Sequence, residues 1–401
     1  MRNHAIALAL CLPLAMYAAC YSPTAASNST DAASVDGLNG ADAELKITWP
    51  VRYVPADSVS SVGSVDLTLS LPPGVTATWD LSTGKISANG SQVGEAPAAV
   101  AAAQTGGPTL QIVRLRGLKI AGGTVELRGV GPAVIVADLI VIDASATLSV
   151  NANAGVAGVN TGVGNGGDGS GRGGGGGGFG TAGGAAGTGA GGSAYSIATT
   201  LRGGSHGGRD PQCAAGATSF GGAGGGALLL YARTSIVLLG TISANGAGGI
   251  AGNQCTPSLY GEGGGGGGSG GAIVLQSPLI EAGDGSVRGV LLATGGGGGG
   301  GGPGLTGLGE LPGRDGGAGM ATGGSGGNGA IYAGKGGNGG GGSLGASSPG
   351  DGAAGVQYSS GNMGYGGHGG GGGAAGYIEL RTRSTPSPRS APLATIVTDG
   401  P

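Results

Sequence analysis

The chain has 401 residues, of which 104 are glycine and 19 are proline, with 10% charged and 3% aromatic residues and a formal net charge of −3. Glycine at this level without a Gly-X-Y period excludes collagen, and the low charge argues against an ordinary disordered chain. A nearly neutral chain has no electrostatic footprint for nucleic acid. The scarcity of aromatic residues predicts a thin, aliphatic core.

Residues 1–19 have the features of an export signal, because a short basic end is followed by the apolar run Ala5–Ala19 and by small residues before Cys20. This pattern is typical of a bacterial lipoprotein signal, in which Cys20 carries the lipid. The alternative is an ordinary cleaved signal, since Tyr17 stands where an aliphatic residue is usual. We therefore predict an exported protein, anchored in a membrane through an N-terminal lipid, at the outer membrane or cell surface of a bacterium.

Two segments of different composition follow the signal. Residues 20–44 are rich in Ala, Ser, Thr and Asp and lack periodicity, which is typical of a flexible tether. Residues 45–109 contain less glycine and carry both tryptophans. The alternation of apolar and polar residues in Ser64–Ser70 predicts a half-buried strand, and this part is interpreted as an N-terminal β cap.

Residues 110–383 alternate between short apolar words and glycine-rich stretches. The words are rich in β-branched residues and separated by Gly, Pro, Asp or Ser, which favours strands over helices. They recur as units of three short strands, and the alignment sets Ala133, Ala227, Ala272 and Tyr377 at equivalent positions. Such repeats predict an all-β fold, a right-handed parallel β-helix whose glycine-rich loops are insertions at one corner of each coil. Residues 384–401 are interpreted as a Pro/Ser-rich tail.

The glycine runs, such as 263–268 and 295–302, allow two structures. In the first, the glycine runs are mobile loops, because glycine has the largest backbone entropy to lose on ordering. Alternatively they pack side by side as polyglycine II helices, which bond laterally through N–H and C=O and have no room for side chains. We favour the packed bundle.

Cysteine usage fits an oxidising compartment. Cys213 and Cys255 each precede a glycine run and an apolar strand by a similar offset, and they are predicted to form a disulfide between neighbouring loops. The alternative is two free thiols. Pairing them leaves Cys20 for the lipid.

The motifs that suggest chemistry are weak. Gly329–Lys335 fits a phosphate-binding loop, but Gly336 replaces the required Ser or Thr. His206, Arg209 and Asp210 form a trio that suits acid–base work, although a polar loop with an ion pair is the favoured interpretation. We therefore predict no catalytic residue, no metal site and no cofactor, and the chain is not expected to be an enzyme.

Two alternatives stay open. A polysaccharide lyase or hydrolase on a β-helix needs clustered charged groups on one strand face, whereas Glu126, Glu281 and Glu379 stand isolated. An ice-binding or matrix-binding protein needs a flat, regular array of small side chains. Clustering of aromatic residues and His on one surface would favour ligand recognition, and scatter would favour a spacer. The residues concerned are Tyr195, Phe220, Tyr231, Tyr260, Tyr332, Tyr358, Tyr365 and His368.

The combination of Ala18-Ala19-Cys20, the word Leu118–Leu127, the corner Leu201–Gly204 and the repeated Gly-Gly-Ala strands resembles the glycine-rich, PE-PGRS-like surface lipoproteins of myxobacteria and their relatives. The likeness covers about residues 85–383, and the helical Pro-Glu domain of true PE-PGRS proteins is missing. The resemblance implies an exported, surface-anchored protein without established catalytic residues. A polyglycine bundle also resembles that of certain phage tail-tip adhesins. The expected function is that of a non-enzymatic scaffold or adhesin, whose partners are a surface polysaccharide or another copy of the chain.

Overall fold

β-strands make up the regular structure of the described residues, apart from one 3-10 turn at Ala56–Ser58. The computed structural model describes residues 51–153, 158, 161–170, 172–197, 199–210, 219–253, 261–284, 287–303, 314–317, 338–343, 349–353, 367–383, 386, 388–392 and 394–398. All of them belong to the unit Trp49–Pro401. The expectation of an all-β fold is confirmed for the described residues.

The first ten strands cover the region before the long glycine insertions. They are β1 (Asp66–Ser70), β2 (Thr76–Asp80), β3 (Lys85–Ala88), β4 (Ser91–Glu95), β5 (Val100–Ala102), β6 (Leu110–Arg114), β7 (Gly117–Ala121), β8 (Gly123–Arg128), β9 (Ala133–Ile142) and β10 (Ala146–Ser149). The others are β11 (Ala227–Leu238), β12 (Thr241–Ser243), β13 (Ala272–Gln276), β14 (Leu279–Glu281), β15 (Gly283–Asp284), β16 (Val287–Arg288), β17 (Val290–Leu292), β18 (Tyr377–Thr382), β19 (Arg389–Ala391) and β20 (Thr395–Thr398).

Two mainly parallel sheets alternate along the chain. The first sheet has the order β1-β7-β9-β11-β13-β18-β20, with β14, β5 and β6 beside it, and the second has the order β19-β17-β12-β10-β8-β2-β3-β4. Consecutive strands such as β7 and β8, β9 and β10, or β11 and β12 therefore belong to different sheets. Antiparallel pairs occur at the N-terminal edges, β2–β3–β4 and β5–β6, and in the hairpin β15–β16.

The main core is aliphatic. It is built from alternate residues of the strands, such as Leu228, Leu230, Ile273 and Leu275, all fully buried. The strand register corrects the sequence alignment at one place, because Ala133 pairs with Leu228 and not with Ala227. A slip of one residue exchanges the two faces of a strand. Both faces of β9 and β11 are apolar, so the sequence pattern could not fix the register there.

The other face of the first sheet is also covered. Leu229, Tyr231 and Val274 on this face pack in a second apolar cluster with Tyr53 and Val54 from the N-terminal segment, and with Phe179, Ile197 and Leu201 from a glycine-rich insertion. The rings of Phe179 and Tyr195 lie 4.7 Å apart at 50°. Strands buried on both faces explain why the apolar words are continuous rather than alternating.

Every long glycine insertion leaves the second sheet and returns to the first. The insertions follow β10, β12 and β17 and end at β11, β13 and β18. The segments 244–253 and 293–303 run outward from the sheets, and 219–226, 261–271 and 367–376 run back. The end of these segments that lies away from the sheets is called the distal end below.

The returning segment 261–271 lies at the centre of a hydrogen-bonded lattice. Its N–H groups donate in rotation to three neighbours, 244–253, 201–210 and 367–376, and its carbonyls accept from 219–226, 172–178 and 293–303. Every third residue of 261–271 therefore bonds to the same neighbour, and six segments surround 261–271. For example, Gly265, Gly268 and Gly271 donate to Ile250, Ala247 and Ala244, whereas Gly264, Gly267 and Gly270 donate to His368, Gly371 and Ala374, at 2.7–2.9 Å.

Steric exclusion explains why these segments are glycine. A Cβ added at Gly266 would overlap the carbonyl of Gly175, and one at Gly268 would overlap that of Ala223. The same holds along 295–302 and 369–373, where an added Cβ, for example at Gly298 or Gly371, would overlap a backbone carbonyl of a neighbouring segment. Only the absence of a side chain lets the backbones approach closely enough to bond.

Candidate functional site

The lattice leaves one direction open for side chains on its outermost segments. On 219–226, the Cβ directions of Gly222 and Gly225 face the segment 244–253, and those of Gly221 and Gly224 face 201–210. Because the repeat has three residues, the remaining row of this segment points away from the bundle. That row holds Phe220 and Ala223.

The neighbouring segments repeat this arrangement. On 244–253, Gly246 and Gly249 face the central segment and Gly248 faces Gly316, which leaves the row Ala247, Ile250 and Asn253 pointing outward. On 201–210, Gly204 and Gly207 face the central segment and Gly208 faces Gly167, which leaves His206 and Arg209. On 161–170 the corresponding row carries Asn165 and Asp168.

Burial follows the same three-residue period. His206, Ala223 and Ala247 are half-buried and Asn165, Asp168, Arg209, Phe220, Ile250 and Asn253 are exposed, while nearly all residues between them are buried or half-buried glycines. We call this surface the side-chain face; it consists of Asn165, Asp168, His206, Arg209, Phe220, Ala223, Ala247, Ile250 and Asn253.

Backbone hydrogen bonds arrange eight residues of the side-chain face in two rows across the bundle. The ninth, Asn253, lies one turn beyond Ile250 on the segment 244–253. Asp210 pairs with Ser219, Gly207 pairs with Gly222, and Ile250 donates to Phe220 at 2.9 Å. The distal row is therefore Asp168, Arg209, Phe220 and Ile250. The row one turn nearer the sheets is Asn165, His206, Ala223 and Ala247.

The trio suggested by the sequence is divided by the lattice. Arg209 lies on the side-chain face, where it pairs with Asp168 at 3.3 Å. Asp210, one residue later, points inward and is fully buried, and its Oδ2 accepts from the N–H of Gly263 at 2.7 Å. The Nδ1 of His206 lies 2.9 Å from the carbonyl of Gly207. The residues do not converge on a common point, so they do not form an acid–base site.

At the distal end of the bundle, side-chain carboxylates take the place of backbone carbonyls as hydrogen-bond acceptors. Glu262, which is 1% exposed, accepts at Oε1 from the N–H and Oγ of Ser219 and at Oε2 from the N–H of Asn253. These bonds join Ser219, which follows residues 211–218, to Asn253 and Glu262, which lie on either side of residues 254–260. Cys213 and Cys255 belong to those insertions and lie outside the described residues, as do Cys20 and the signal and tether segments.

Among the described residues, the aromatic side chains and His368 are divided between different environments, which is the arrangement that favours a spacer over ligand recognition by an aromatic cluster. Tyr195 and Tyr231 belong to the covering of the first sheet, Phe220 lies on the side-chain face, and His368 is half-buried at the distal end. Burial and the nearby Arg172 lower the pKa of His368, against an opposing effect of Asp210. Tyr260, Tyr332, Tyr358 and Tyr365 lie outside the described residues.

A second polar cluster lies on the covered face of the first sheet. Glu379, fully buried, accepts hydrogen bonds from the hydroxyls of Tyr53 at 2.9 Å and Tyr377 at 3.0 Å, and it pairs with Arg52 at 3.0 Å and Arg381 at 3.3 Å. Burial and the Glu379 carboxylate raise the pKa of Tyr53.

Backbone strain accompanies this cluster. Tyr53 has φ 72°, a left-handed conformation that costs a non-glycine residue on the order of 1–3 kcal/mol. The cluster clasps the N-terminal segment onto β18. The sequence contained a signal for it, since Tyr377, Glu379 and Arg381 alternate along one strand and must share a face.

Neither cluster offers a recognisable metal site. No three His, Cys, Asp or Glu side chains of the described residues come together as metal ligands. Within the part of the chain that the structure describes, no helix has the length and apolarity needed to cross a membrane. Comparison with protein families, with curated proteins and with solved structures finds no match.

Proposed function

We propose that the chain is a non-enzymatic surface lipoprotein that acts as a rigid scaffold or adhesin, related in type to the glycine-rich surface lipoproteins it resembles. Its two sheets form a parallel β-helix, and its glycine segments form a polyglycine II bundle that projects from one corner of the coils. Cys20 carries the lipid, residues 20–44 give reach, and Cys213 and Cys255 link two distal insertions.

The side-chain face is the observation that carries this proposal. The lattice would tolerate glycine or alanine at each outward position, and yet only Ala223 and Ala247 are that small, while the other seven positions hold an ion pair, an imidazole, two amides, an aromatic ring and a large aliphatic side chain. A bundle that served only as a spacer needs none of them. A hydrogen-bonded support with fixed side chains has little conformational entropy to lose on binding.

The two alternative functions have less support. A polysaccharide-active enzyme needs a carboxylate able to exchange a proton with its substrate, whereas Glu379 is already engaged by two arginines and two tyrosines. An ice-binding face needs small side chains at regular positions. Here the Asp168–Arg209 pair and Phe220 interrupt any such array.

Cell fractionation and surface proteolysis test the proposal. In the native host, the wild-type chain is expected in the membrane fraction and accessible to protease on intact cells, and Cys20→Ser is expected to release it. Purified chain is then tested on a glycan array and for adhesion of coated beads to host cells. A Cys20→Ser variant that stays in the membrane fraction would refute the lipid anchor. Failure of the purified chain to bind any glycan or cell surface would refute the adhesin.

A further inference from the structure

Phe220 and Ile250 form a pair whose presence the fold does not explain. Their backbones are joined by the bond from Ile250 N–H to Phe220 O, and both side chains point outward in the same direction. Phe220 is 53% exposed and Ile250 is 41% exposed. Single exposed apolar residues are common, whereas here an aromatic and a large aliphatic side chain lie side by side among glycine and alanine.

The surroundings of the pair form a shallow step. Ala223 and Ala247 lie one turn nearer the sheets, about 9 Å away along the segments at ~3.1 Å per residue, and their methyl groups are low beside the larger side chains. The pair is therefore a ridge, and the alanine row is a shelf at its foot. A flat, ring-shaped ligand fits against the ridge with its edge on the shelf.

The polar groups at the margins indicate the chemistry of the ligand. His206 lies at one margin of the shelf, and Asn253 follows Ile250 in the same outward row. The charges of Asp168 and Arg209 compensate each other across 3.3 Å. An aromatic ring with hydrogen-bonding groups and a compensated ion pair at its edges suits the apolar face and peripheral hydroxyls of a sugar.

The size of the patch argues against a protein partner. A stable protein interface buries about 800 Å² on each side and is centred on a larger apolar core. One phenyl and one sec-butyl side chain cannot supply such an area. A sugar unit of a polymer needs only a small contact, since repeated weak contacts of many copies on one surface add up.

We propose that the Phe220–Ile250 ridge binds a neutral sugar unit of a surface glycan. This inference rests on the proposed adhesive function and names its ligand class and its contact residues. Binding of one unit is expected to be weak, with Kd on the order of millimolar.

Saturation-transfer difference NMR on the full chain provides the test. The probes are cellobiose, maltose, mannobiose and chitobiose, with irradiation of methyl and aromatic protons of the protein. At least one probe is expected to receive saturation on its ring C–H protons. Phe220→Ala should reduce the effect at least fivefold and Phe220→Trp should retain it, whereas Val130→Ala, which removes an exposed apolar side chain outside the side-chain face, on the turn between β8 and β9, should leave it unchanged.

The outcomes separate this inference from the proposed function. No transfer to any probe, or equal transfer with Phe220→Ala and Val130→Ala, overturns the sugar site. Adhesion of coated beads that persists in Phe220→Ala also overturns it while the adhesin proposal stands. Sugar binding that depends on Phe220, without adhesion of the chain to any cell surface, supports the site and overturns the adhesin. Unchanged thermal unfolding of Phe220→Ala shows that folding is not the cause of a loss.

Discussion

Ser219 and Glu262 are joined across the bundle by two hydrogen bonds, from the N–H of Ser219 at 3.2 Å and from its Oγ at 3.0 Å to the same carboxylate oxygen. The other oxygen of Glu262 accepts from the N–H of Asn253. Three segments are therefore held together by one buried carboxylate at the distal end.

Replacing Glu262 by alanine should destabilise the protein by about 2 kcal/mol or more, because buried donors lose their acceptor and each costs about 1–3 kcal/mol. Asp351→Ala is the matched control. Its carboxylate accepts one bond, from the N–H of Ala185, at an exposed position where water can replace it. Urea unfolding measures both variants, and equal stability of the two would contradict the structural role of Glu262.

The same bonds predict pairing of the two cysteines. They join Ser219, which follows residues 211–218, to Asn253, which precedes residues 254–260, and we therefore expect Cys213 and Cys255 to be close enough to form a disulfide. Non-reducing peptide mapping of the exported protein should find the crosslinked peptides. Complete alkylation of both thiols before reduction would show that the pairing is wrong.

Gly266→Ala should destabilise the bundle by about 1–3 kcal/mol, because its Cβ meets the backbone carbonyl of Gly175 and backbone cannot yield as a side chain does. Gly180→Ala is the control, since nothing lies within 4 Å of a Cβ there. That change is expected to be neutral or slightly stabilising, through the lower entropy of the unfolded chain. Chemical denaturation distinguishes them, and a tolerated Gly266→Ala would refute close packing at the centre.

Glu379→Gln should loosen the N-terminal segment from the first sheet. The change removes the carboxylate that pairs with Arg52 and Arg381. Because the site is buried, the free energy of unfolding is expected to fall by about 3 kcal/mol. Asp66→Asn removes the exposed ion pair with Arg116 and should have little effect on stability, because water screens this pair. Limited proteolysis within residues 51–62 provides the readout, and equal cleavage of both variants would argue against the clasp.

Acidification should weaken the distal end through His368. Its pKa is lowered in the folded protein from an ordinary value of 6.5, so the unfolded chain takes up the proton first as the pH falls. The contribution of His368 to the free energy of unfolding is therefore fully present above about pH 6.5 and decreases as the pH falls through its lower pKa in the folded protein. Denaturation midpoints at pH 7.5 and 5.5 should differ more for the wild type than for His368→Asn, and identical differences would exclude a contribution from His368.

The sequence by itself determined the strands, and the recurrence of their apolar words predicted that equivalent strands pair in parallel. β-branched words separated by glycine specify strands locally, and long glycine runs exclude side chains from wherever they pack. The three-residue spacing of His206 with Arg209 and of Ala247 with Ile250 and Asn253 was visible in the sequence, but its meaning depends on which directions the neighbouring segments occupy.

Only the tertiary structure decided the register of β9 against β11. It also decided that the side chain of Asp210 points inward while that of Arg209 points outward, and that Glu379 contacts Arg52 and Tyr53. The physical reason is common to all three. Each depends on contacts between residues far apart in the chain, and patterns of residue type carry no information on distance when both faces of a strand are apolar or when glycine offers no side chain to orient.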